Sequence, residues 1–77
     1  MATVRFDLPG PCRVALEVYG VDGRRVSTLA QGLLPGGSHA REWNGRNDQD
    51  LAQASGIYFV RLRANGQELT RSLTLIR

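Results

Sequence analysis

The residues of this chain that come nearest to a ligand-binding motif stand close together just past its middle. Asn44, Asn47, Asp48 and Asp50 place oxygen-bearing side chains in one short segment, and oxygen is the ligand that Ca²⁺ prefers. The segment lacks the ligand spacing and the bidentate Glu of a known calcium loop. Asx turns, in which such side chains bond nearby backbone amides, use the same residue types. The sequence therefore predicts a turn-rich loop without a cofactor, and a calcium site is the weaker alternative.

The two side chains that most often serve catalysis have no partners for it. His39 is the only histidine, and no Ser, Cys or carboxylate lies at a spacing that would orient it as a base. Cys12 is the only cysteine, so no disulfide can form within the chain, and it follows Pro11 in a predicted turn. We therefore predict no catalytic residues and a chain that is not an enzyme.

Composition and charge are those of an ordinary globular domain. The 77 residues are 42% hydrophobic and 22% charged, and no apolar run approaches the roughly 18 residues that a transmembrane helix needs. All 10 basic residues are arginine, and the formal net charge is +3. Acidic residues stand near many of them, as Glu42 does beside Arg41, so no uncompensated basic stripe is expected. We predict one domain over residues 1–77, with no nucleic-acid partner and no membrane insertion.

Alternating apolar and polar residues predict short strands along most of the chain. The predicted strands cover residues 4–8, 13–19, 25–29, 39–43, 57–63 and the segment that follows Gly66. Residues 31–37 are predicted to be a loop, because three glycines and a proline make regular structure costly there. Residues 44–55 form a polar connection across the end of a sheet. The pattern indicates an all-β fold, an immunoglobulin-like antiparallel β-sandwich of six to seven short strands.

The pair Asn65-Gly66 predicts a tight hairpin of type I′, which fixes the register of the last two strands. In that register Leu62 faces Leu69, Tyr58 faces Leu73 and Arg63 faces Glu68. The same register sets Arg71 opposite Val60 on the inner face, where a charge is awkward. Either a bulge interrupts the pairing near Arg71, or that end of the sheet is open to water.

Two aromatic residues at the centre of the chain are expected to anchor the core. Tyr58 has the spacing of a tyrosine corner, so its hydroxyl should bond nearby backbone. The predicted core consists of Phe6, Leu16, Val18, Trp43, Tyr58, Val60 and Leu62. Alternation leaves Tyr19 and Phe59 as surface aromatics, and glycan binding through them is a weaker possibility.

The order of these motifs resembles one family over nearly the whole chain. The resemblance rests on residues 4–9, 14–19, 22–26 and 37–39, on Trp43-Asn44-Gly45, on Ser55-Gly56-Ile57-Tyr58-Phe59, and on the closing residues 71–77. They resemble the immunoglobulin-like domains of flagellar hook-capping proteins and the related C-terminal type A sorting domains of the bacterial type IX secretion system. The Asn-Pro-rich lead of the family is missing, and Asp50 stands where its loop usually has glycine, although Asp tolerates positive φ better than most residues.

The resemblance implies a non-catalytic domain that an outer-membrane translocon recognises as a secretion signal. The implied contacts are Leu73, Thr74, Leu75, Ile76 and Arg77. The implied partners are proteins, either the secretion machinery or the rest of a parent chain, and the implied location is secreted or at the cell surface, reached through the periplasm of a Gram-negative-type bacterium. No secretory signal follows Met1, so we expect a longer precursor and an added Met1-Ala2 start.

The alternative implied by the same resemblance is a structural module. It would be an assembly domain like that of the hook cap, or a spacer within a multidomain glycan-degrading enzyme, in which case carbohydrate binding is a further option.

Overall fold

Six strands in two antiparallel sheets make up the part of the chain that the structure, a computed structural model, describes, residues 2–76. The strands are β1 (Ala2–Leu8), β2 (Cys12–Tyr19), β3 (Arg25–Leu34), β4 (Gly37–Trp43), β5 (Gly56–Ala64) and β6 (Gln67–Leu75). β1 pairs with β4 in a two-stranded sheet, and the four-stranded sheet has the order β3-β2-β5-β6. This arrangement confirms the predicted all-β immunoglobulin-like sandwich. Within residues 2–76 there is no helix with the length and hydropathy that crossing a membrane requires.

The β5–β6 hairpin has the predicted register. Asn65 and Gly66 take φ values of 52° and 76°, as a type I′ turn requires. The pairs Leu62–Leu69, Tyr58–Leu73 and Arg63–Glu68 form as predicted. Val60 faces Arg71 without a register shift, and Arg71 is exposed. Of the two alternatives given for Arg71, a bulge or an open sheet end, the structure has the second, and this end of the sheet is open to water.

The prediction of a loop over residues 31–37 is wrong. β3 continues to Leu34, and only Pro35 and Gly36 separate it from β4. Gly32, with φ 111°, pairs with Val14, so the glycine is accommodated as an irregular position within a strand. Pairing with β2 gives this segment the backbone hydrogen bonds that a loop would lack. The predicted turn at Cys12 is also wrong, because Cys12 begins β2 and pairs with Leu34.

Two glycine-containing turns meet at one end of the sandwich. A Cβ atom on Gly36 would lie 2.9 Å from the Cα of Gly10, which is closer than real Cβ contacts come. The turn between β1 and β2 therefore packs against the turn between β3 and β4 only because position 36 lacks a side chain. This contact joins the ends of the two sheets.

The core lies between the sheets. Its buried side chains are Leu8, Val14, Leu16, Val18, Ala30, Trp43, Val60 and Leu75. Phe6, Tyr58 and Leu62, which were predicted as core residues, are half-buried and pack against this cluster. Leu75 was expected to be a partner contact, but its side chain is 4% exposed and belongs to the core.

Trp43 and Tyr58 connect the two sheets. Trp43 is the last residue of β4, is 1% exposed, and meets Tyr58 of β5 edge-to-face with ring centroids 4.9 Å apart. The Trp43 Nε1 donates a hydrogen bond to the Arg46 carbonyl at 2.8 Å. The Tyr58 hydroxyl donates to the Ala54 carbonyl at 2.6 Å, as expected of a tyrosine corner. Both rings therefore also fix the connection between β4 and β5.

Replacing Trp43 with alanine should largely unfold the domain. Emptying a buried aromatic site costs about 3–5 kcal/mol, and a domain of this size has a total stability on the order of 5 kcal/mol. Urea unfolding followed by circular dichroism measures the change. Phe59→Ala is the control, because Phe59 is 37% exposed and its loss should cost about 1 kcal/mol. Equal unfolding midpoints for the Trp43→Ala variant and the parent would contradict the structure.

Candidate functional site

In the polar connection between β4 and β5, the side-chain oxygens of the two asparagines accept hydrogen bonds from the backbone of the connection itself. Asn44 Oδ1 accepts a hydrogen bond from the Arg46 amide at 3.0 Å. Asn47 Oδ1 accepts from the amides of Gln49 and Leu51, each at 2.9 Å. The Asx-turn interpretation is therefore confirmed for Asn44 and Asn47.

The remaining two candidate ligands of this connection are engaged as well. Asp48 Oδ1 accepts from the Thr28 amide at 2.9 Å, and the Asp48 amide donates to the Val26 carbonyl at 2.9 Å, so the connection docks on the edge of β3. Asp50 has a φ of 64° and pairs with Arg46 at 3.8 Å. The tolerance of Asp for positive φ at this position is thus confirmed. Across residues 2–76, no three His, Cys, Asp or Glu side chains gather in a way that could hold a metal ion.

A charged cluster occupies the outer face of the four-stranded sheet, and it was not predicted from the sequence. Glu17 lies on this face in β2, yet only 8% of its side chain is exposed. Its Oε1 accepts hydrogen bonds from Arg63 Nη2 at 2.9 Å and from the Tyr19 hydroxyl at 3.0 Å. Arg25 Nη1 lies 3.5 Å from its other oxygen and also pairs with Asp48 at 3.6 Å. The cluster thus joins β2, β3 and β5 to the polar connection.

Arg61 covers the ring of Tyr19 within this cluster. Its guanidinium carbon lies 4.2 Å from the ring centroid, and its Nη2 donates to the Tyr19 hydroxyl. Its Nη1 pairs with Glu68 at 3.8 Å. Arg63 faces Glu68 in the ladder, as predicted, but its ion pair is with Glu17. Only the β2–β5 register, which sets Glu17 directly opposite Arg61, could have indicated this network.

The surroundings of Glu17 favour its ionised form. Burial on its own would raise the pKa of the Glu17 carboxyl. The hydrogen bond from Tyr19, the positive charge of Arg63, and the hydrogen bonds from Arg63 and Arg25 together outweigh burial and hold that pKa below its ordinary value of 4.5. Glu17 is therefore a charged structural anchor of the sheet.

The aromatic residues do not form one continuous exposed surface in the described part of the chain. Tyr19 is covered by Arg61, and Phe59 is 37% exposed. Phe6 stacks on His39 with ring centroids 5.3 Å apart, and His39 Nε2 donates to the Pro35 carbonyl at 2.7 Å. His39 therefore has a structural role at the β3–β4 turn.

An open groove runs between β1 and β6, the outer strands on one side of the sandwich. Its volume is about 380 Å³. Residues 3–7 of β1 form one wall, and Leu69, Arg71, Ser72 and Leu73 of β6 form the other. Leu16, Val60 and Leu62 form its floor. Throughout residues 2–76, β1 and β6 each pair with a single neighbouring strand, so both present a free edge.

The expected recognition segment, residues 73–77, divides between core and surface. Leu73 is half-buried at the groove, and Thr74 is exposed. Leu75 is buried, so its side chain is not available to a partner. Ile76 is 81% exposed, and Arg77 lies outside the described residues.

Comparison with known proteins gives one family match. The model of the FlgD Ig-like domain matches residues 1–68, which include β1 to β5 and the start of β6. No curated protein and no solved structure gives a match. The match supports the hook-capping part of the resemblance inferred from the motifs.

Replacing Glu17 with glutamine should make the domain less stable at neutral pH. Charge-assisted hydrogen bonds contribute about 1.5–3 kcal/mol. Because the folded-state pKa is lowered, this contribution is complete above pH 4.5 and is lost as pH falls through the folded-state pKa. Urea unfolding at a series of pH values should give parent and variant curves that converge in acid.

The matched control for this experiment is Glu68→Gln, on the same face of the sheet. The Glu68 side chain is 51% exposed, so its loss should change the free energy of unfolding by less than about 1 kcal/mol. A Glu17→Gln variant as stable as the Glu68→Gln variant at neutral pH would contradict the anchoring role of Glu17.

Proposed function

Since the chain belongs to the FlgD Ig-like domain family, we propose that it is an assembly module of the hook-cap kind, which contacts other proteins within a larger structure. The family is one of structural, non-catalytic domains. The whole sandwich forms the module. Its polar side chains serve the fold, since His39 and Asn47 bond the backbone of turns and Glu17 pairs with Arg63.

The observation that best supports this proposal is the open side of the sandwich. β1 and β6 both expose backbone along the groove, and exposed strand edges are suited to pairing with another chain. A protein contact along this side accounts for both edges at once.

Location follows from this role as a further part of the proposal. A module of an external assembly would act in a secreted protein or at the cell surface, after passage through the periplasm. Its partners would be proteins of that assembly or the remainder of its own parent chain. The charged face around Glu17 then serves the stability of the module, since its charges already pair with one another.

A second candidate function is the type IX sorting signal that the sequence motifs imply. Its support is the end of β6, where Thr74 and Ile76 are exposed next to a free strand edge. A translocon that recognises folded domains could contact these residues directly. Fusing the chain to an inert periplasmic reporter tests this candidate in a bacterium with that secretion system. A reporter that remains in the periplasm would count against it.

A domain exchange tests the leading proposal. In a motile bacterium, the Ig-like domain of the hook-capping protein is replaced with this chain, and hooks are examined by electron microscopy. We expect hooks to form, because the chain belongs to the same family as the domain that it replaces. The same exchange with the Trp43→Ala variant should give no hooks, because that variant should not fold.

An unrelated β-sandwich of similar size is the second control for the exchange. It should support fewer hooks than this chain if specific contacts matter, and equal numbers would indicate a passive spacer. Absence of hooks with the parent chain, although the hybrid is folded and exported at the normal level, would contradict the assembly role.

A further inference from the structure

The hairpin register determines which backbone groups of β6 are free. In a two-residue hairpin, Ala64 and Gln67 form the first doubly hydrogen-bonded pair, and such pairs then recur at every second residue. The N–H and C=O groups of Leu69, Arg71 and Leu73 therefore point toward β5. Those of the residues between them, Glu68, Thr70, Ser72 and Thr74, point toward the free edge.

The groove beside this edge is apolar at its base. Leu16 and Val60, which form part of the floor, are 1% and 6% exposed. Leu69 projects from the inner face of β6, opposite Leu62, but is 54% exposed because no strand of the small sheet covers it. Val4 and Phe6 of β1 are half-buried on the opposite wall. Apolar side chains of a docked segment would bury these surfaces.

Arg71 supplies a positive charge to the groove, which Arg5 of β1 also lines. It is the central residue of β6, faces Val60, and makes no ion pair within residues 2–76. Its Nη1 donates to the Thr70 carbonyl at 3.1 Å, and that carbonyl belongs to the free edge. Asp7, the acidic residue of the lining, accepts a hydrogen bond from Ser38 Oγ at 2.6 Å. A carboxylate from a partner would therefore meet an arginine that lacks a counter-charge.

We propose that this groove binds an extended segment of a partner protein, which adds a strand to the free edge of β6, alternates apolar side chains into the groove and sets a carboxylate against Arg71. The partner class rests on the assembly role proposed above. The residue opposite Arg71 would occupy a non-hydrogen-bonded position, where facing side chains lie closest. Charge pairing at this position sets the register of the added strand.

A second copy of the chain is a poorer occupant of the groove. If two β6 strands paired antiparallel about their centres, the two Arg71 side chains would face each other, and directly opposed like charges destabilise a strand pair. Each chain also carries a formal net charge of +3, which opposes self-association. An acidic, apolar segment of another protein meets neither obstacle.

The test uses a synthetic peptide of the length of β6, 9 residues, with Val at alternate positions, Glu at the centre of the Val face and Thr between. Binding to the full chain is followed by NMR of the backbone amides. We expect saturable shifts at Thr70 and Ser72. Methylating the backbone nitrogens of the Thr residues in the peptide should abolish the shifts at Thr70 and Ser72, because the N–H groups of those peptide residues would pair with β6.

Substitutions at Arg71 test the charge pairing. Arg71→Leu should weaken binding of the Glu peptide by about tenfold, as expected for loss of a charge-assisted hydrogen bond. Arg71→Glu should instead favour a peptide with Lys in place of the central Glu. Arg24→Leu is the matched control: Arg24 is an exposed arginine outside the groove, so the affinity should not change.

Three results would overturn the proposal. They are the absence of saturable shifts, shifts that survive methylation of the peptide, and equal affinity of the parent and Arg71→Leu chains. Analytical ultracentrifugation of the chain provides a further check, since a dimer that excludes the peptide would make a second copy the occupant. Peptide binding without hook formation in the exchange would contradict the assembly role alone, whereas hook formation without peptide binding would contradict the groove alone.

Discussion

The contact between Trp43 and Tyr58 is the interaction on which the rest of the structure depends. Trp43 is the last residue of β4 in the small sheet and Tyr58 lies on β5 of the large sheet, so the contact between their rings holds the two layers together. The chain between them must cross from one layer to the other, and its polar groups need partners there. The Trp43 nitrogen, the Tyr58 hydroxyl and the Asn and Asp oxygens provide them. The polar connection between β4 and β5, which resembled a ligand site in the sequence, is thereby explained as a segment that holds the two core rings in place.

The unequal size of the two sheets determines where the surface is open. Two strands cannot cover four, and the side near β3 and β4 is closed by their short connection and by Asp48, which bonds the edge of β3. The opposite side keeps the edges of β1 and β6 and the groove between them. An inward-facing charge on an edge strand discourages unwanted pairing, and Arg71 occupies such a position. The same arginine would select a partner with a matching carboxylate, so protection and selectivity come from one residue.

Local signals in the sequence predicted much of the fold. The Asn65-Gly66 turn defined the β5–β6 register, and alternation placed Trp43 on the inner face. The sequence did not predict the end of β3 or the burial of Glu17, because both depend on pairing with β2, which is distant in sequence. Leu75 was given as a partner contact by the family resemblance alone, whereas alternation from Leu73 places it on the inner face, where the structure buries its side chain. Of the family resemblance, the hook-capping part is confirmed by the family match, and the sorting role stays a proposal.

Hydrogen exchange of individual backbone amides tests the central claim, an intact sandwich open along β6, most directly. The account predicts slow exchange at Leu69, Arg71 and Leu73, whose amides point toward β5, and fast exchange at Thr70, Ser72 and Thr74 along the free edge. Amides within the core strands, such as those of Leu16 and Val60, should be at least as well protected as the first group. Uniform protection along β6 would mean that this edge is covered, and would contradict the account.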